Sequence, residues 1–119
     1  MQYKISSDDL GQMSVDELRA LRQRLAGELG NVETTLHGTL ISQGRRCGKE
    51  GCRCTRGELH GPYWYLSLPR EGGRSRLAYV PANLAEAVQR RVQVTAQQET
   101  VLDAISAINL ELLTRRELD

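Results

Sequence analysis

Cys47-Gly48-Lys49-Glu50-Gly51-Cys52-Arg53-Cys54, followed five residues later by His60-Gly61-Pro62-Tyr63-Trp64-Tyr65-Leu66, decides how this chain is read. The spacing C-x4-C-x-C-x5-H places four soft ligands within 14 residues. Three cysteines and one histidine satisfy the usual tetrahedral coordination of a structural zinc ion. Cys47, Cys52, Cys54 and His60 are therefore the candidate metal ligands, with zinc as the expected cofactor. Gly48, Gly51, Gly57 and Gly61 let the backbone bend tightly enough for them to converge. Arg45, Arg46, Lys49 and Arg53 lower the thiol pKa values and offset the charge of three thiolates. The C-x-C step and the overall spacing match none of the familiar finger formulas. Two other readings thus stand beside the metal: reduced cysteines and a histidine that pack or hydrogen-bond, and thiol redox chemistry. A disulfide is disfavoured in a cytosolic setting, and three cysteines cannot all pair within one chain.

Working outward, charge concentrates around the cysteines. Residues 41–80 hold eight Lys and Arg against three Glu, a net charge of +5, whereas residues 1–40 and 81–119 each carry −2. The tyrosines and tryptophan at 63–65 lie in the same basic segment. The remaining composition, 39% hydrophobic with no Phe in 119 residues, leaves packing to Leu, Val, Ile and Ala along helices. A single domain spanning 1–119 is expected. No apolar run approaches the roughly 18–20 residues of a membrane span, and Asp8, Asp9, Asp16 and Glu17 occupy the place of a signal peptide's apolar centre. The expected location is the cytoplasm, without membrane association.

On the N-terminal side, Ser14 with Glu17 forms a capping-box signature. Leu18, Leu21, Leu25, Leu29, Val32 and Leu36 then follow at steps of three and four, which predicts a helix over 13–37. Gly27 and Gly30 read as close-contact points or a slight bend within it, and Gly38 as its stop. On the C-terminal side, Val80-Pro81 opens a second helical stretch over 81–116, with Leu84, Val88, Val92, Val101, Ile105, Ile108 and Leu112 as its stripe. Gln93, Thr95, Gln97 and Gln98 dilute that stripe, which implies a bend or a face turned to solvent or a partner. The near-heptad spacing suggests a helical hairpin of coiled-coil type. A two-helix hairpin leaves apolar surface uncovered, so a homodimer through Ile105, Ile108 and Leu112 is expected.

Between the helices, the head at 38–80 reads as strands and turns. Thr39–Gln43, Tyr63–Leu68 and Arg74–Val80 are strand-like, with Pro69–Gly73 as the turn between the last two. Alternation places Tyr63 and Tyr65 on one face and Trp64 on the other, most simply as core. The resulting fold class is α+β: two long antiparallel helices flanking a small three-stranded antiparallel sheet with a Cys/His knuckle.

Arg46-Cys47-Gly48-Lys49, Cys52-Arg53-Cys54, His60 to Leu66 and the Tyr79-Val80-Pro81 junction together resemble the signature of a family of small bacterial proteins catalogued as a domain of unknown function. The likeness covers roughly residues 38–113. It implies a mobile-element setting but no particular activity.

No constellation in the chain points to catalysis. Gly44 to Glu50 is too short between its glycines for a phosphate-binding loop and ends in Glu where Ser or Thr should hold magnesium. Cys47 or Cys52 with His60 lacks an orienting acid, and His37 reads as a surface residue. The expected role is therefore not enzymatic but that of a nucleic-acid-binding accessory or regulatory protein, with DNA placed ahead of RNA. Its contacts would be Arg45, Arg46, Lys49, Arg53, Arg56, Tyr63, Tyr65, Arg74 and Arg76: arginines for phosphates or guanine edges, tyrosines for stacking on bases. The alternative is an adaptor whose helices bind a larger protein partner, with the Cys/His head purely structural.

Overall fold

Three antiparallel strands form a meander in the order β1-β2-β3: β1 (Thr39–Arg45), β2 (His60–Glu71) and β3 (Arg74–Val80). The computed structural model describes residues 5–119, with the backbone alone at Thr55, Arg70 and Glu71. Its register pairs Leu40 with Leu66 and Ser42 with Trp64 across β1 and β2, and Tyr65 with Tyr79 and Leu66 with Ala78 across β2 and β3. The β2–β3 connection is tighter than the sequence suggests. Gly72 and Gly73, at φ of +60° and +80°, make a two-residue turn, the conformation that matches the twist of a hairpin and that side chains resist. Pro69, expected in the turn, lies instead in β2, where the register slips between Leu68 and Glu71. A proline has no N–H to give to the ladder, and a register slip is one of the few places a strand tolerates it.

One face of the sheet is covered. Leu66 and Val80 are buried, and Leu40, Trp64, Leu68 and Ala78 are half-buried. A groove beside Trp64 and Leu40 is lined by Ala82, Ala85, Glu86 and Gln89. These residues follow Pro81 in a 3-10 turn (Ala82–Leu84) and the first turns of the long helix, which runs over Ala85–Thr114.

The chain divides into two compact units: Thr35–Gln93, which holds the sheet, and a second that unites the segment up to Thr34 with Val94–Asp119. The second unit is helical. A short helix α1 (Ser7–Gly11) is capped by Ser6, and α2 (Val15–Glu28) by Ser14, whose Oγ accepts from the Glu17 N–H at 3.1 Å. The long helix, α3, supplies residues 94–114 to this unit. Leu10, Leu18 and Leu25 pack with Val101, Ala104, Ile108 and Leu112 into one apolar cluster.

Among the described residues there is therefore one long helix, not two. At 1.5 Å per residue, α3 is about 45 Å long and α2 only about 21 Å. The expected N-terminal helix over 13–37 ends at Glu28, with Leu29 as its C-cap and Gly30 at φ +68°. Gln98 is part of the reason. Buried in α3, it donates through Nε2 to the carbonyls of Leu29 and Asn31 at 2.8 and 2.9 Å. It thereby satisfies carbonyls left open where the chain leaves α2. α3 continues through the polar interruption of the C-terminal stripe, with Thr95 and Gln98 buried and Gln93 and Gln97 exposed.

The far end of α3 stops at Thr114, short of residue 116. Arg116 adopts φ +60°, and the Glu117 and Arg116 N–H groups donate to the Leu112 and Leu113 carbonyls at 2.8 and 2.9 Å, the paired bonds of a Schellman end. Arg115 bonds Glu111 at 2.9 Å and reaches the Leu10 carbonyl at 3.0 Å, closing α1. Arg22 makes two bonds to Asp119, at 2.9 and 2.8 Å, and a third to Asn109 at 2.8 Å.

Of the three residues expected at a dimer interface, Ile108 and Leu112 are fully buried within this cluster and Ile105 is half-buried against it. The stripe that looked unpaired in the sequence is filled by the chain's own leucines. The exposed large apolar residues of this part of α3 are Val94, Leu102, Leu110 and Leu113.

Two substitutions separate these roles. Ile108→Ala is expected to lower the unfolding free energy by about 2–5 kcal/mol, the range for deleting a fully buried branched side chain. Leu110→Ala, at a position 62% exposed, should change it by less than about 0.5 kcal/mol. Urea unfolding followed by circular dichroism measures both, and equal effects would contradict this assignment of the core.

Candidate metal centre and the cleft beside it

The connection between β1 and β2 carries the cysteines. After Arg45, which pairs with His60 across the sheet, the chain turns at Lys49–Cys52, where the Cys52 N–H meets the Lys49 carbonyl at 3.4 Å. A single 3-10 turn over Arg53–Arg56 follows and is closed by Gly57. Positive φ occurs at Gly51, Gly57 and Gly61, though not at Gly48. The demand is sharpest at Gly61, where a Cβ would lie 2.7 Å from the Tyr63 nitrogen and 3.3 Å from the Gln43 carbonyl oxygen. No side chain fits there without moving the strand that carries His60.

The four expected ligands converge. Their ligand atoms all lie within 4.8 Å of one another. Cys47 Sγ is 3.5 Å from Cys54 Sγ, and His60 Nε2 is 3.1 Å from Cys52 Sγ and 3.3 Å from Cys47 Sγ. Metal–sulfur bonds of about 2.3 Å in a regular tetrahedron imply ligand separations of about 3.8 Å, so the cluster has the dimensions of a four-ligand metal site. Cys54 is fully buried, and Cys47 and Cys52 are half-buried.

Backbone donors support the charge that such a site needs. The Cys47 N–H donates to Cys54 Sγ at 3.2 Å. The Cys54 and Lys49 N–H groups donate to the sulfurs of Cys52 and Cys47. Each sulfur thus receives one backbone N–H. The effects differ by position. The Cys54 N–H, with the Cys47 thiol behind it, holds Cys52 down at about 6. At Cys47 the Lys49 N–H also favours the thiolate, but the Cys52 and Cys54 sulfurs beside it outweigh that and push the thiol up. The donor set and its dimensions are compatible with a metal ion.

Beside the cluster is a cleft of about 620 Å³, walled by Cys47, Cys52 and His60 on one side. Arg45, Arg46 and Lys49 stand around it with the rings of Tyr63, Tyr65 and Tyr79. The Arg45 guanidinium stacks 4.7 Å from the centre of the Tyr65 ring, and Tyr65 meets Tyr79 edge to face at 6.0 Å. Five of the expected nucleic-acid contacts, Arg45, Arg46, Lys49, Tyr63 and Tyr65, therefore share one place.

The other four do not join them. Arg76 pairs with Leu68, and Trp64 with Val80. Strand alternation then puts Arg76 and Arg74 on the Trp64 face, opposite the tyrosines. Arg53, 4.0 Å from Glu58, and Arg56 are exposed in the 3-10 turn and do not line the cleft. Tyr79 is the residue that sequence reasoning left out. Its signal was its alternation with Leu77 and Ser75, but joining it to Tyr65 requires the register that the Gly72-Gly73 turn sets.

A metal bound by these residues should be measurable at about one ion per chain in protein purified without chelator or added metal. A strong chelator is expected to lower the melting temperature substantially. Cys54→Ser, which removes the buried sulfur, should abolish both the stoichiometric metal and the chelator effect. A chelator-insensitive, metal-free wild type would overturn the site.

No curated protein and no solved structure matches the chain. A family model described as a domain of unknown function, DUF6788, matches residues 15–90. The match takes in α2, the Cys/His connection, all three strands and the beginning of α3. With more than half of its length inside that match, the chain belongs to the DUF6788 family.

Proposed function

We propose that this protein is a nucleic-acid-binding accessory or regulatory protein whose Cys/His connection is fastened by a structural zinc ion. The observation that carries the reading is the gathering of Arg45, Arg46 and Lys49 with three tyrosines around one cleft at the metal cluster. Arginine gives phosphates two-pronged hydrogen bonds, lysine adds a point charge, and tyrosine offers a flat face to any base. Among the described residues, neither Arg46 nor Lys49 makes an ion pair, so their charge is available to an anionic partner. Zinc is the metal we assign because three thiolates and an imidazole are soft donors in tetrahedral number, unsuited to magnesium or calcium. With all four positions filled by protein, the ion serves as a fastener with no open site for substrate. The role is binding, not catalysis, and its compartment is the cytoplasm. No helix among the described residues is long and apolar enough to cross a membrane. DNA is the first polymer to test, in keeping with the mobile-element setting that the sequence signature suggests.

A second reading has its own observation. Leu102, Leu110 and Leu113 are each at least half exposed on α3 and fall within about 80° of one another around the helix. Such a strip suits a second copy of the chain or a larger protein partner.

Charge reversal discriminates. Arg46→Glu combined with Lys49→Glu should weaken DNA binding at least tenfold at about 50 mM salt and flatten the plot of log affinity against log salt by about two units. Arg24→Glu, on α2, should do neither. Fluorescence anisotropy with labelled oligonucleotides measures both quantities. If the wild type does not bind, or if all three substitutions act alike, the nucleic-acid reading fails and the leucine strip becomes the interface to pursue.

A further inference from the structure

The shape of the basic site narrows what it can hold. Proteins that read duplex DNA directly do so with something that protrudes, a helix or a two-stranded ribbon entering a groove about 12 Å wide. Here the charges and aromatic rings line an open cleft. Its volume of about 620 Å³ is enough for one small organic group lying against the rings. A base paired and stacked inside a duplex cannot enter such a cleft, whereas an unpaired base can.

The rings differ in availability. Tyr65 is covered on one side by Arg45 and met by the edge of Tyr79. Tyr63 and Tyr79 are 38% and 61% exposed, although each is a large ring on a packed strand. The register sets Tyr79 opposite Tyr65 and therefore diagonal to Tyr63. Diagonal neighbours on one face stand about 7–8 Å apart, within common reach of aromatic side chains. A single flat base can touch both. The cations lie at the loop side of the same cleft, with Arg46 and Lys49 flanking Cys47 in sequence. The site thus pairs an aromatic floor with a cationic rim, the two parts that recur where single strands are bound.

We infer that the cleft receives one unpaired nucleotide of a single-stranded nucleic acid, its base against Tyr79 and Tyr63 and its phosphate on Arg46 and Lys49. This rests on the nucleic-acid reading above and sharpens it from a charged surface to a selective pocket. Tyr65 and Arg45 act as a unit: the stacked guanidinium holds the tyrosine in place and extends the cationic rim over it. The metal cluster makes one wall of the pocket, so loss of the metal is expected to weaken binding as well as stability.

The test uses the full chain, metal-loaded, with a labelled 12-nucleotide strand, the blunt duplex of the same sequence, and a mononucleotide. The strand should bind at least tenfold more tightly than the duplex, and the mononucleotide more weakly than the strand. Tyr79→Ala should weaken strand binding roughly 5- to 150-fold, the range for losing one base stack. Tyr79→Phe, which keeps the ring, should retain the affinity. Metal content and melting temperature of each variant show whether the head is intact. A duplex bound as tightly as the strand, with Tyr79→Ala silent and the Arg46→Glu, Lys49→Glu pair still damaging, overturns the pocket but leaves the nucleic-acid reading standing. A mononucleotide bound as tightly as the strand overturns the strand as ligand. No binding of any of the three at low salt overturns both readings.

Discussion

Four side chains from a run of fourteen residues, Cys47, Cys52, Cys54 and His60, have to reach one point, and much of the head is arranged around that demand. His60 is available only because β2 begins with it and pairs it to Arg45 at the end of β1. Cys52 and Cys54 are brought round by a turn and a single 3-10 helix closed at Gly57. The three backbone N–H groups aimed at the sulfurs come from the same loop. The chain path that delivers the ligands also supplies the backbone hydrogen bonds to their sulfurs.

Convergence of the ligands in turn places the cationic side chains. Arg45, Arg46 and Lys49 are nearest neighbours of Cys47 in sequence, so gathering the sulfurs gathers the charges. The pleat does the rest by sending Tyr63 and Tyr65 to that side and Trp64 and Leu66 to the other. The sheet separates the two tasks. One face is closed by apolar residues around Leu66 and Val80, and the opposite face keeps its tyrosines at the surface.

What could be read from the residues was whatever depends on neighbours in sequence. The ligand set, the alternation of β2, the Ser14 cap and the general positions of three strands and the C-terminal helix are all local properties. Partners distant in sequence decided the rest. Gln98 takes carbonyls at the end of α2 from about seventy residues away, and no periodicity over 13–37 announces that. An apolar stripe records that a helix is covered without saying by what, and so Ile108 and Leu112 looked available when Leu10, Leu18 and Leu25 already covered them. Arg74 and Arg76 belonged to the right segment by charge, but their face depends on where the hairpin turns. The turn at Gly72-Gly73 fixes it opposite to the tyrosines.

The division of the chain into two units carries a consequence for the order in which structure can form. Thr35–Gln93 is continuous in sequence, and its strands are joined by a two-residue turn and by the ligand-bearing loop. Pairing its strands closes only short loops, which form quickly and at small entropic cost. The helical unit is split, with Leu10, Leu18 and Leu25 waiting for Val101, Ile108 and Leu112. On a chain emerging from the ribosome, the sheet has all its partners before the last third of α3 has been made, whereas α1 and α2 remain without theirs. The helices α1 and α2 are thus made before the sheet and buried after it.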